Sequence, residues 1–116
     1  SPRPNPWNMP SVLNPPGQGD LLRLDLPAAR LDAAAVREFK IAVDSAWASV
    51  TRRVEIDMGS VEFLDSSGVG ALLSVYKRLP APAQVKLVHV RPAVQTVIEL
   101  LRLHRIFEVH GESAAA

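Results

Sequence analysis

Apolar side chains recur at every second residue from Leu22 and at every third or fourth from Val36, and the chain then returns to each spacing in turn. Leu22, Leu24 and Leu26 alternate with Arg23 and Asp25, the pattern of a strand with one buried face, and Pro27 closes it. Val36, Phe39, Val43, Trp47 and Val50 fall on one helical stripe, and Asp32 ahead of them is an N-cap that can accept from the orphan amides of the first turn. A second strand is expected over 53–58, then a turn at Gly59 and Ser60 and an apolar stretch, Val61 to Leu64, that runs into Asp65. Val69, Leu72, Leu73, Tyr76 and Leu79 predict a helix that starts near Ser67 and stops before Pro80 and Pro82. A third strand is expected over 85–90. Pro92 opens a third helix with Val94, Val97, Ile98 and Leu101 as its buried stripe, and residues 106–109 form a last edge strand. Strands alternating with helices in this way define an α/β fold, a mostly parallel sheet of four to five strands with crossover helices.

A chain of 116 residues, 47% hydrophobic and 22% charged, suits one domain with one core. The formal net charge of +1 lacks the basic excess that binding a nucleic-acid backbone requires, so no nucleic-acid partner is expected. Without cysteine there are no disulfides, thiolate nucleophiles or thiolate metal sites, which agrees with a reducing cytoplasm. Six of the ten prolines, Pro2, Pro4, Pro6, Pro10, Pro15 and Pro16, crowd the start of the chain. Such density favours extended chain without a core, so residues 1–19 are expected to be a flexible arm, 20–112 the folded body and 113–116 a tail. Met9 is compatible with an authentic start. No apolar run is long enough to insert into a membrane, and the N-terminus lacks the flanks of a secretory signal, so the expected place is the cytoplasm.

Chemistry is concentrated in one place, Asp65-Ser66-Ser67-Gly68-Val69-Gly70, where an apolar strand feeds a helix. Such junctions are exposed in open α/β sheets and commonly bind ligands or partners. Asp and Ser are also ordinary N-caps, so the hydroxyls and carboxylate alone say little. Gly68 and Gly70 say more, because each costs a helix up to ~1 kcal/mol relative to Ala and so calls for a compensating close approach, by a neighbouring strand or by a partner. A serine hydrolase built from Ser66 or Ser67 with His89, His104 or His110 lacks the G-x-S-x-G elbow. His104, Glu108 and His110 match no strong metal-ligand spacing, so no metal, cofactor or catalytic residue is expected.

The stretch from Val61 through Asp65-Ser66-Ser67-Gly68-Val69-Gly70 to Leu73, followed by Tyr76-Lys77-Arg78, closely resembles the phosphoacceptor motif of the bacterial anti-sigma factor antagonists, which are built on the STAS domain. Ala29-Arg30-Leu31-Asp32, Val85 to Val90, Pro92-Ala93-Val94 and Leu103-His104-Arg105-Ile106-Phe107 are weaker matches, and together the likeness covers about residues 20–110. It implies a non-enzymatic switch in transcription regulation. The unphosphorylated protein would bind an anti-sigma factor that is a serine kinase of the GHKL type, releasing the sigma factor. Phosphorylation by that kinase with ATP would end the grip, and a PP2C-type serine phosphatase would reset it. Carried over by position, the acceptor is Ser67 with Ser66 as runner-up, and Asp32, Asp65, Ser66, Ser67, Gly68 and Val69 form the partner surface. The same domain also serves, unphosphorylated, as a docking subunit of membrane transport systems, which is the alternative reading. Two positions depart from the family pattern, since Ala29 and Arg102 stand where Gly is frequent, and the second is a turn that would force φ > 0 on an arginine.

Overall fold

The computed structural model describes residues 19–111. The arm and tail, apart from Gly19 at the arm's end, lie outside the described residues. Four strands, β1 (Leu21–Asp25), β3 (Arg53–Asp57), β5 (Gln84–Val90) and β6 (Glu108–Gly111), form a sheet in the order β1-β3-β5-β6 with every pair parallel. A separate pair, β2 (Arg30–Leu31) with β4 (Phe63–Leu64), is also parallel. Helices α1 (Ala33–Ala46), α2 (Ser66–Arg78) and α3 (Pro92–Leu100) supply the crossovers, and a 3-10 turn at Leu103–Arg105 precedes β6. The expected α/β architecture is therefore present, with the mostly parallel sheet and crossover helices.

Alternation along the strands decides which face the helices cover. Leu22, Leu24, Val54, Ile56, Val85 and Leu87 are buried, and so are Phe39 and Val43 of α1, Val69, Leu72 and Val75 of α2, and Val94 and Ile98 of α3. These groups form one hydrophobic cluster between the sheet and the helices. The opposite sheet face is charged and self-paired across strands, with Arg23 Nε 3.5 Å from Glu55 and Lys86 Nζ 3.7 Å from Glu108. A parallel sheet covered on both faces would read as continuous apolar strands; the period of two here belongs to a sheet covered on one.

Several boundaries differ from the sequence expectation, each for a local reason. α1 ends at Ala46, because Thr51 Oγ1 accepts from the Ala48 amide at 3.1 Å and folds the chain into a turn. Val50, expected on the buried stripe, is consequently 56% exposed, while Trp47 becomes the C-cap beneath the Arg78 guanidinium, 4.3 Å from its ring centroid. Leu101 is likewise not part of a buried stripe: α3 stops at Leu100, Arg102 turns the chain with φ 57°, and Leu103 and Phe107 take over the burial. α2 begins at Ser66, one residue earlier than expected, and the last strand lies two residues later, at Glu108–Gly111. The ladder of β5 with β6 is irregular between Leu87 and Val90, where His89 takes φ 56°, and pairing resumes at Val90 with Gly111.

Candidate functional site

β2 and β4 position the motif. Their register pairs Arg30 with Phe63 and Leu31 with Leu64, so Asp32 and Asp65 follow one step beyond equivalent positions of adjacent parallel strands. Each aspartate then caps a helix. Asp32 Oδ1 accepts from the Ala35 amide at 3.2 Å, and Asp65 Oδ1 accepts from the Gly68 amide at 2.9 Å. The N-termini of α1 and α2 therefore lie side by side, each fronted by a carboxylate. The loop that delivers β4 is tied down from two directions: Asp57 Oδ1 accepts from the Gly59 amide at 2.9 Å, and Arg91 Nε donates to the Gly59 carbonyl at 2.7 Å.

Ser66 is exposed at the first position of α2, and Ser67, at the second, is half-buried. The Asp65 side chain serves the Gly68 amide and its carbonyl accepts from Val69 at 2.9 Å, so among the described residues the amides of Ser66 and Ser67 remain the orphan donors of the first turn. Gly68 and Val69, expected on the partner-facing surface, are instead buried, Val69 being 8% exposed. A Cβ at Gly68 would sit 2.1 Å from the Leu31 carbonyl oxygen and 2.7 Å from Leu64 Cδ1, so the strand β2 requires this glycine. Gly70 differs. It is exposed, a Cβ there would meet nothing within 4 Å, and no intramolecular contact explains it.

Sequence reasoning missed a neighbour of this site. The Arg30 guanidinium lies 4.0 Å from the centroid of the Phe63 ring, which is 40% exposed, and Arg30 Nε donates to Asp32 Oδ2 at 3.0 Å. That hydrogen bond is the main cause holding the Asp32 carboxyl below the usual aspartate range, reinforced by the Ala35 amide. Arg30 and Asp32 stand two apart, hence on one strand face, and that spacing was the available signal.

The histidines are elsewhere. His89 Nδ1 is 3.2 Å from Asp57, and His110 Nε2 is 2.6 Å from Glu108; among the described residues neither serine is hydrogen-bonded to a histidine. Glu108 and His110 meet without His104, and no group of three or more metal-ligating side chains occurs among the described residues. Asp25, opposite Asp57 in the β1–β3 register, has its carboxyl pushed above the usual range by burial and then by the Asp57 charge.

A family model, STAS domain, matches residues 16–116. The chain belongs to the STAS domain family. The crystal structure of a candidate anti-sigma factor antagonist from Thermotoga maritima superposes with a TM-score of 0.68 at 22% identity, covering 78% of this chain and 79% of that one. At that identity the likeness is one of fold, and it agrees with the one-sided sheet and the helix order of this STAS domain. Among the described residues no helix is long and apolar enough to cross a membrane.

Proposed function

We propose that this STAS domain is an anti-sigma factor antagonist that works by partner switching in the cytoplasm, without catalysis of its own. In its unphosphorylated form it binds an anti-sigma factor that is a GHKL-type serine kinase. The kinase then transfers the γ-phosphoryl group of ATP to Ser67 Oγ, the hydroxyl proton passing to the kinase's base and ADP leaving. A PP2C-type phosphatase reverses the modification.

The observation that carries the reading is the pair of hydroxyls on the first turn of α2, beside a second helix N-terminus. A phosphate there adds about −1.5 to −2 of charge at neutral pH. The orphan amides of Ser66 and Ser67 and the positive end of the helix dipole tolerate that charge, so the fold survives it. A partner pressed on the same surface meets it differently, because Asp65 already places negative charge on the rim and the phosphate must be desolvated or repelled. A loss of ~4 kcal/mol is about a thousandfold in affinity, enough to exchange partners. The exposed, uncompensated Gly70 one turn along α2 supports close approach by another protein, and Arg30 on Phe63 supplies the arginine and aromatic types that anchor interfaces.

The test is phosphorylation by a cognate GHKL-type kinase with ATP and magnesium, followed by intact mass. One added phosphate on the wild type, absent from Ser67→Ala and present on Ser66→Ala, is expected. Modification of Ser67→Ala to the same extent would move the acceptor to Ser66 or away from the motif.

A further inference from the structure

In this sheet every strand is entered at one end and left at the other, and the serines lie at the exit end. The entry end holds the connection from α1 to β3, the connection from α3 to β6 and the start of β1. The large apolar side chains exposed among the described residues are Ile41, Val50, Phe63, Leu100, Leu101 and Ile106, and four of these stand at the entry end: Val50 at 56%, Leu100 at 76%, Leu101 at 53% and Ile106 at 39%.

The charges beside them are lopsided. Asp20 is held by Arg53 at 2.9 Å and Glu108 by His110 at 2.6 Å and Lys86 at 3.7 Å, while Glu99, hydrogen-bonded among the described residues only by the neutral Gln95, keeps one negative charge against several arginines. Arg102 and Arg105 form no salt bridge among the described residues, and Arg52 forms none beyond the longer-range attraction by which it helps to lower the Asp20 carboxyl. Arg102 is moreover held at φ 57° and ψ 29°, the left-handed region that favours glycine. An arginine kept in a conformation that strains it points to a use for its side chain.

We propose that this end rests on an anionic lipid surface, with Leu100, Leu101, Val50 and Ile106 at the boundary of headgroups and acyl chains and the free arginines on the lipid charges. One feature favours lipid over a protein partner. Val50, Leu100 and Leu101 come from separate connections and are each more than half exposed, so a deformable surface receives them without a matching cavity. Docking by the entry end leaves the serines facing away from the lipid. The inference is independent of whether those serines accept phosphate.

The full chain is sedimented with phosphatidylcholine vesicles containing about 30% phosphatidylserine and with phosphatidylcholine alone, at low and high salt. Partition onto the anionic vesicles should exceed that onto the neutral ones at least ~10-fold and fall with salt. Arg105→Gln and Arg102→Gly should each lower it about fivefold, from about 1 kcal/mol per cation. Arg102→Gly should at the same time melt higher than wild type, because it relieves the positive φ; a purely structural role for Arg102 would not separate the two. The double variant Leu100→Gln, Leu101→Gln should lose binding. Equal partition onto both vesicles, or wild-type binding by the leucine variant, overturns the proposal. So does a concentration-dependent dimer that the leucine variant dissociates, which would make a second copy the occupant.

Discussion

Gly68 and Gly70, two residues apart on α2, should respond to alanine with opposite signs. In an isolated helix each substitution gains up to ~1 kcal/mol, because alanine restricts the unfolded chain and favours the helix. At Gly70 nothing lies within 4 Å of the new methyl, so the gain is retained. At Gly68 the methyl would stand 2.1 Å from the Leu31 carbonyl oxygen, where ordinary contact begins at 3.4 Å, and 2.7 Å from Leu64 Cδ1. A leucine tip can rotate away, but a strand carbonyl cannot, so the start of α2 has to retreat from β2 by more than an ångström. Overpacking of this kind costs typically ~1–3 kcal/mol, and a rigid backbone obstacle puts this site at the upper end. After the helix gain the net loss is ~2 kcal/mol. For a domain of this size ~1 kcal/mol moves the melting temperature by ~4–8 °C, so Gly68→Ala should melt ~8–16 °C below wild type and Gly70→Ala ~4–8 °C above it.

Circular dichroism melts, supported by urea titrations with an unchanged slope, measure both. Gly68→Ala melting at or above wild type would refute the contact between α2 and β2 on which the geometry of the site depends. Gly70→Ala melting below wild type would show that an unrecognised intramolecular neighbour fills that space. The same protein carries a functional consequence: if Gly70 is bare for a partner's sake, Gly70→Ala should be more stable and bind the anti-sigma factor less well.

Ser67→Asp should keep the fold, with a stability change of ~0.5 kcal/mol or less, since a half-exposed site in the first turn of a helix accepts a carboxylate, yet bind the anti-sigma factor more weakly than Ser67→Ala in titration calorimetry. Equal binding by both would remove charge as the cause of the switch. Two aspartates should show opposite pH behaviour in thermal melts. Asp32, its carboxyl lowered chiefly by Arg30, contributes stability that is present above the unfolded pKa of ~3.9 and lost as pH falls below it, so Asp32→Asn should melt below wild type at pH ~7 and converge with it in acid. Asp25, raised by burial and by Asp57, binds its proton more tightly when folded, so stability falls as pH rises from ~3.9 through the folded value. Asp25→Asn should therefore melt above wild type at pH ~7, by a small margin because Asp25 is exposed over much of its surface, and equally at pH ~3. A constant gap across pH in either variant would contradict its assignment.

The main sheet was legible because each of its first three strands repeats its period over five residues or more, long enough for alternation to be distinguished from a helical stripe. β2 was not, and β4 was expected only as part of the apolar stretch Val61 to Leu64, since two residues apiece carry no period; their pairing follows from contacts between Ala29 and the Glu62 and Phe63 amides, far apart in the chain. Helix ends failed where turn chemistry overrode the apolar pattern. Val50 and Leu101 continue the spacing of their helices, yet Thr51 closes one turn through its hydroxyl and Arg102 closes the other in a conformation that sequence would assign to glycine. Those two overruns account for two of the four exposed apolar side chains at the entry end, so the error in reading the core and the candidate docking surface have one origin.

The candidate site was half legible for a related reason. Asp32, Asp65 and the serines announce helix starts by residue type alone, but that Asp32 and Asp65 share one edge depends on the two-residue ladder that no pattern revealed. Once the ladder is present, the roles of the motif residues separate. Gly68 and Val69 face inward and fix how closely α2 approaches β2; Ser66, Ser67 and Gly70 lie on the remaining surface of the same helix. A rigid inner side and a bare outer side are what a charge switch needs. If the first turn could shift to accommodate a phosphate, the added charge would move away from the partner and its effect would be dissipated in the fold. With Gly68 wedged against the Leu31 carbonyl and Asp65 capping the turn, the first turn cannot yield in that direction, and the change in free energy is delivered to whatever binds the outer side.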